Sequence, residues 1–99
     1  MPHFDANDKI FKKEVKDFNG KVLICFHASW CSPCKMLSPL IDELSEKIKV
    51  VKVDIEEYGN IAEDYGVQSL PTVIIFNNGQ PIESIIGSRP KEVYLKAIE

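Results

Sequence analysis

Positive charge is in short supply in this chain. Its 12 lysines and arginines are outnumbered by 15 acidic residues, giving a formal net charge of -3, and Lys12-Lys13 is the only adjacent basic pair. Proteins that grip phosphate concentrate basic residues on one face, so neither nucleic acid nor a membrane surface is an expected partner. Long apolar runs are missing too, since none approaches the ~20 residues of a membrane-spanning helix. The opening Met1-Pro2-His3-Phe4-Asp5 has no basic segment followed by an apolar one, which reads as a chain without a signal peptide and at home in the cytoplasm. Cysteine is scarce: three residues are too few for a disulfide-stapled scaffold, and no second C-x-x-C pair completes a zinc site. Repeats, linkers and low-complexity tracts are absent. With 44% hydrophobic and 27% charged residues, the 99-residue chain fits one domain over 1–99 with a modest core, expected to act as a monomer.

What is present is a regular alternation of strand and helix signals. Pro2 to Phe4 suits a short edge strand, where a missing N–H does no harm. Asn7 suits the N-cap of a helix reaching Asp17 or Phe18, with Ile10, Phe11, Val15 and Phe18 at helical spacing and Asn19-Gly20 as its stop. Val22 to Phe26 is apolar without alternation, the pattern of a strand covered on both faces. A helix over 33–47 follows, with Met36, Leu37, Leu40, Ile41, Leu44 and Ile48 on its buried side and Pro39 expected to bend it. Lys49 to Asp54 is a second buried strand, and a short helix around Asn60 to Tyr65 ends at Gly66. Pro71 opens the strand Thr72 to Phe76, Asn78-Gly79 signals a tight hairpin, and Ile82 to Ile86 returns. A last helix after Pro90 should turn Val93, Tyr94, Ala97 and Ile98 inward. The sum is an α/β sandwich with a mixed sheet between helices.

Chemistry concentrates in Trp30-Cys31-Ser32-Pro33-Cys34-Lys35. Cys31 falls at the mouth of the predicted helix, where unsatisfied N–H groups and the positive end of the helix dipole favour a thiolate. Cys34, one turn inside, faces the same side and can close a disulfide with it. This geometry makes Cys31 the attacking thiolate and Cys34 the resolving thiol of a disulfide exchange. A zinc half-site is the competing reading. Its only extra ligands nearby are Cys25 and His27, on a buried strand from which they do not converge readily.

The six-residue motif, Pro39 in the helix after it, Lys52-Val53-Asp54, Leu70-Pro71-Thr72 and Asn78-Gly79 together resemble the thioredoxin family in order and spacing over nearly the whole chain. The family motif reads Trp-Cys-Gly-Pro-Cys-Lys, with Ser32 here in the glycine place. The resemblance implies a thioredoxin-like three-layer α/β sandwich in the order β-α-β-α-β-α-β-β-α, with a cis peptide bond before Pro71. It further implies a protein-disulfide reductase acting on protein disulfide substrates through a Cys31–Cys34 redox disulfide. No bound cofactor or metal is implied, and electrons would come from NADPH through a thioredoxin reductase. A substrate groove formed by Trp30, Ser32, Pro33, Leu70, Pro71, Ile86 and Gly87 is also implied, in which a peptide pairs with backbone as an added strand.

Three positions depart from the family pattern. Cys25 stands where the family usually has a buried aspartate; a small apolar core residue is the favoured reading, and a third redox cysteine the sharper one. His27 stands where tryptophan is common. Besides packing, its imidazole is a candidate proton carrier, or a cation favouring thiolate. Lys52 has lost the family's acidic partner and is expected to reach solvent along its stem. Ser32 has a hydroxyl that can donate to a thiolate or cap a helix N–H. These substitutions keep open a specialised electron donor or an isomerase-like protein. A redox-silent docking module is disfavoured, because docking needs neither Cys31 nor Cys34.

Overall fold

The computed structural model describes residues 3–99. Ten segments follow in order: β1 (His3–Asp5), α1 (Asp8–Phe11) running on as a π-helical stretch (Lys12–Lys16), β2 (Lys21–His27), α2 (Ser32–Leu44), β3 (Lys49–Asp54), α3 (Gly59–Asp64), β4 (Thr72–Asn77), β5 (Gln80–Ile86) and α4 (Lys91–Ala97). The expected start of the first strand at Pro2 lies outside the described residues. The sheet order is β1-β3-β2-β4-β5, with β1, β3 and β2 parallel and β4 and β5 antiparallel to their neighbours.

Strand β2 has a partner on each edge and a helix layer on each face, which explains its unbroken apolar run. Val22, Ile24 and Phe26 pack with Phe11, Val15, Ile61 and Ala62 from the first and third helices. Leu23 and Cys25 point the other way, against Leu37, Ile41 and Leu44 of α2 and Tyr94 of α4. Fully burying such a side chain contributes about 1.5–3 kcal/mol, so the two faces hold the three layers together.

Local signals set most boundaries. The Asn7 side chain accepts from Ile10 N at 2.8 Å and caps α1 as its sequence predicts. Asp17 N then reaches back to Lys12 O, a wider turn than the uninterrupted α-helix expected, with Phe11 and Val15 both still buried. Helix α2 runs through Pro39 as one helix and ends at Leu44, earlier than expected; Glu46 N and Lys47 N bond three residues back and tighten the chain into turns. Two assignments to the buried side are corrected. Met36 is 79% exposed, because the packed stripe of α2 runs through Cys34, Leu37, Ile41 and Leu44 and leaves position 36 beyond the sheet. Val93 is exposed because Tyr94 and Ala97 take the contact face of the short α4. Tyr94 also fixes the loop after β5, its hydroxyl accepting from Arg89 N at 3.1 Å and facing Gly87 O at 3.3 Å.

The hairpin between β4 and β5 turns on Asn78 (φ 52°) and Gly79 (φ 81°), both left-handed, as an Asn-Gly pair favours. A Cβ at Gly79 would collide with the Lys16 carbonyl, whereas at Gly66 (φ 67°) it would meet open space. Gly66→Ala should therefore cost roughly 1 kcal/mol of conformational strain alone. Gly79→Ala should cost at least ~2 kcal/mol, because backbone must also move. Urea midpoints of the two variants measure the difference, and equal losses would refute the collision.

Candidate active site

Cys31 ends the loop after β2, and its side chain caps α2. Its backbone is extended (φ -88°, ψ 106°), and its Sγ accepts the Cys34 N–H at 3.2 Å. Pro33 falls in the first turn of the helix, where no N–H is needed. The two cysteines form a disulfide with their Cα atoms 5.3 Å apart. Ser32 is exposed beside them, and the cap on Cys34 N is the Cys31 sulfur and not the Ser32 hydroxyl. Behind the disulfide, Cys31 and Cys34 pack on Ala28, with Ile55 and Leu70 against them.

The sulfurs open onto different spaces. Cys31 lines an outer hollow of about 420 Å³ with Trp30, Ser32, Pro33 and Leu70 from the sequence-derived groove, joined by Ile55, Val67 and Gln68. Cys34 lines an inner cavity of about 160 Å³ with Cys25, His27, Ser38 and Lys52. Whole-residue exposure, 5% for Cys31 and 8% for Cys34, does not separate the two cysteines; the spaces they face do. Of the remaining groove residues, Pro71 is buried behind a cis Leu70–Pro71 bond and its carbonyl accepts from Gly87 N at 2.8 Å. Ile86, 56% exposed, lines an adjoining hollow that shares Val67 and Gln68 with the first. Ile55, Val67 and Gln68 were not foreseen, since they come from loops with no periodic pattern. The one available signal is that ligand sites in open α/β sheets gather at the strands' carboxyl ends, where Ile55 follows β3.

Cys25 is a free, buried thiol on the α2 side of the sheet, and burial pushes it up to about 12 from 9.0. Nearby Lys52 pulls it down and Asp42 up, both less strongly than burial acts. It packs as a core residue among Leu37, Ile41 and Val73. The expectation for Lys52 is corrected. Its side chain is only 16% exposed, and its ammonium meets Asp42 Oδ1 at 2.9 Å instead of running out to solvent. Asp42 follows Cys34 and Ser38 at spacings of four, one side of α2, and that phase is the signal that would have found it. Among the described residues, no group of three or more His, Cys, Asp or Glu side chains is placed to hold a metal ion.

The family model described as Thioredoxin matches residues 3–99. This chain belongs to the thioredoxin family. It is 42% identical over 98 residues to Thioredoxin 1 of Nostoc sp., covering 95% of this chain and 92% of that protein. It is 44% identical over 95 residues to the thioredoxin of Rickettsia felis, covering 92% and 90%. Among solved structures, a single-site mutant of the thioredoxin from Halobacterium salinarum superimposes with a TM-score of 0.90 at 31% identity, over 98% of this chain and 88% of that one. The three-layer thioredoxin fold and the activity follow: the chain is a thiol–disulfide oxidoreductase of the protein-disulfide reductase kind, with Cys31–Cys34 as its disulfide-forming pair. A thioredoxin's two cysteines carry the electrons themselves, so the exchange needs no bound cofactor.

Because the folded state holds the Cys25 proton and the unfolded state releases it above 9.0, this thiol's contribution is intact below pH 9.0 and is lost as pH rises towards about 12. The loss has a limiting slope of ~1.4 kcal/mol per pH unit. Urea unfolding of the oxidised protein and of Cys25→Val should therefore diverge across that window, wild type falling faster. Parallel curves would show that Cys25 ionises alike in both states.

Proposed function

We propose that Cys31 is the attacking thiolate and Cys34 the resolving thiol of this reductase, with substrate seated in the outer hollow. What supports the assignment is that Cys31 alone of the pair lines that hollow, while Cys34 lines the inner cavity. In the reduced protein the Cys31 thiolate, still favoured by the N-terminus of α2, attacks one sulfur of a substrate disulfide and forms a mixed disulfide. The other substrate sulfur leaves as thiolate. Cys34 then attacks Cys31, the Cys31–Cys34 bond forms, and the second substrate sulfur departs; two electrons pass to the substrate.

The exposed ring of Trp30 and the side chains of Pro33 and Leu70 give the hollow an apolar wall, suited to a loosely held polypeptide. Ile86 and Gly87 extend the docking edge beside Pro71, where an extended peptide can add as a strand. Disulfide-bearing proteins are the substrates. The pair is recharged from NADPH through a thioredoxin reductase, and the protein works in the cytoplasm, where unstapled chains with catalytic C-x-x-C pairs belong. One copy carries both sulfurs and the hollow, so a monomer suffices.

Insulin-disulfide reduction coupled to thioredoxin reductase and NADPH tests this reading. Cys31→Ser should lose turnover on the order of a thousandfold or more and trap nothing. Cys34→Ser should lose turnover comparably but accumulate the mixed disulfide. Trapping by Cys31→Ser in place of Cys34→Ser would reverse the roles.

A further inference from the structure

The inner cavity raises a question that the disulfide exchange leaves open. Cys34 reacts as a thiolate, and its proton has to go somewhere. Among the described residues, the ionisable side chains around the cavity besides Cys34 itself are Cys25, His27, Lys35 and Lys52. Cys25 is held protonated by burial and makes a poor base. Lys52 is committed as a cation to Asp42 at 2.9 Å. Lys35 is an exposed ammonium, a donor with no free lone pair. Imidazole is the side-chain type that ordinarily gains and loses a proton between about pH 5 and 8.

His27 also has a second outlet. At the carboxyl end of β2 it is half-buried, and it lines both the inner cavity and a separate hollow of about 250 Å³. That second hollow is walled by Asp5 of β1, Asp54 of β3, and Glu57 and Tyr58 of the loop beyond. Among the described residues, only His27 and Lys52 belong to both linings, and of the two Lys52 is already ion-paired. In register, His27 lies opposite Asp54, and its carbonyl accepts from Ile55 N at 3.0 Å, so the strand end that carries the ring is anchored. Among the described residues, the charged and titratable groups that share these linings with His27 are Cys34 and Lys35 from α2, Lys52 and Asp54 from β3, Asp5 from β1, and Glu57 and Tyr58 from the loop, with Cys25 on its own strand.

We propose that His27 carries protons between Cys34 and the carboxylate-lined hollow, through water in the cavity that the two residues share. The cavity has room for a few waters at ~30 Å³ each. At the mixed-disulfide stage the Cys34 thiol gives its proton through that water to the neutral imidazole. The resulting thiolate attacks Cys31 Sγ; the Cys31–Cys34 bond forms, the Cys31–substrate bond breaks, and the departing sulfur keeps the electron pair and later takes a proton from solvent. The imidazolium passes its proton to the carboxylate-lined hollow. When the disulfide is reduced again the path runs backwards and returns a proton to Cys34.

The proposal rests on Cys34 being the resolving thiol, and the test separates the two ideas. A symmetrical aromatic disulfide that releases a coloured thiolate gives one release on attack and a second on resolution, both read in a single turnover. Cys34→Ser should show the first release only; a second release there would overturn the role assignment and leave the fate of the Cys34 proton without a step to serve. With the roles upheld, His27→Gln should slow the second release relative to the first by about a hundredfold near neutral pH, the lower range for a lost general base. It should also flatten the rise of the second phase with pH. Added imidazole should restore the second phase in His27→Gly. Comparing the phases within one sample keeps the result readable if part of a variant fails to fold. Slowing of less than about tenfold, or a retained inflection without imidazole rescue, would overturn the relay.

Discussion

A single hydrogen bond organises this molecule: the one from Cys34 N to Cys31 Sγ at the start of α2. Helix N-termini leave N–H groups unsatisfied, and most helices answer with an oxygen. Here the acceptor is the reactive sulfur itself, so forming the helix and preparing the nucleophile are one event. The bond also fixes which way each sulfur looks. As N-cap, Cys31 turns towards the loops and the outer hollow; one turn on, Cys34 turns towards the sheet and the inner cavity.

The sheet supplies what lies beneath. β2 is covered on both faces, and the side that meets α2 presents Cys25 and then His27 under the helix start. With a thiol at position 25, the carboxylate that meets Lys52 is Asp42 on the helix. With Asp42 57% exposed, this ion pair lies near solvent and contributes modestly to stability, about 0–1 kcal/mol. Its larger effect is local: it occupies a cation that acts on Cys25 and leaves the remaining proton traffic of the cavity to the imidazole.

Much of this was legible in the sequence because strong local rules carried it. The unbroken run Val22–Phe26 marked a doubly covered strand, Asn7 a helix cap, Asn78-Gly79 a hairpin, and the C-x-x-C pair with Pro33 a helix that begins on a sulfur. Resemblance to the thioredoxin family also implied the cis bond before Pro71, which is present. What stayed hidden depends on how elements meet. Met36 looked buried because apolar character spreads wider around α2 than its contact with the sheet. The Lys52–Asp42 pair joins a strand to a helix: spacing along α2 puts Asp42 in phase with Cys34, but only packing shows that it meets Lys52. Ile55, Val67 and Gln68 enter the outer hollow from loops, and the sharing of His27 by two cavities is a fact of packing alone.

In the reduced protein the N-terminus of α2 makes Cys31 a ready thiolate, while Cys25 and Cys34 stay protonated. Titrating the fully reduced protein by its ultraviolet thiolate absorbance tests this most directly. One thiolate is expected to form below the ordinary thiol value of about 8.5, lost in Cys31→Ser and kept in Cys25→Val. No thiolate below that value, or one that survives Cys31→Ser, would contradict it.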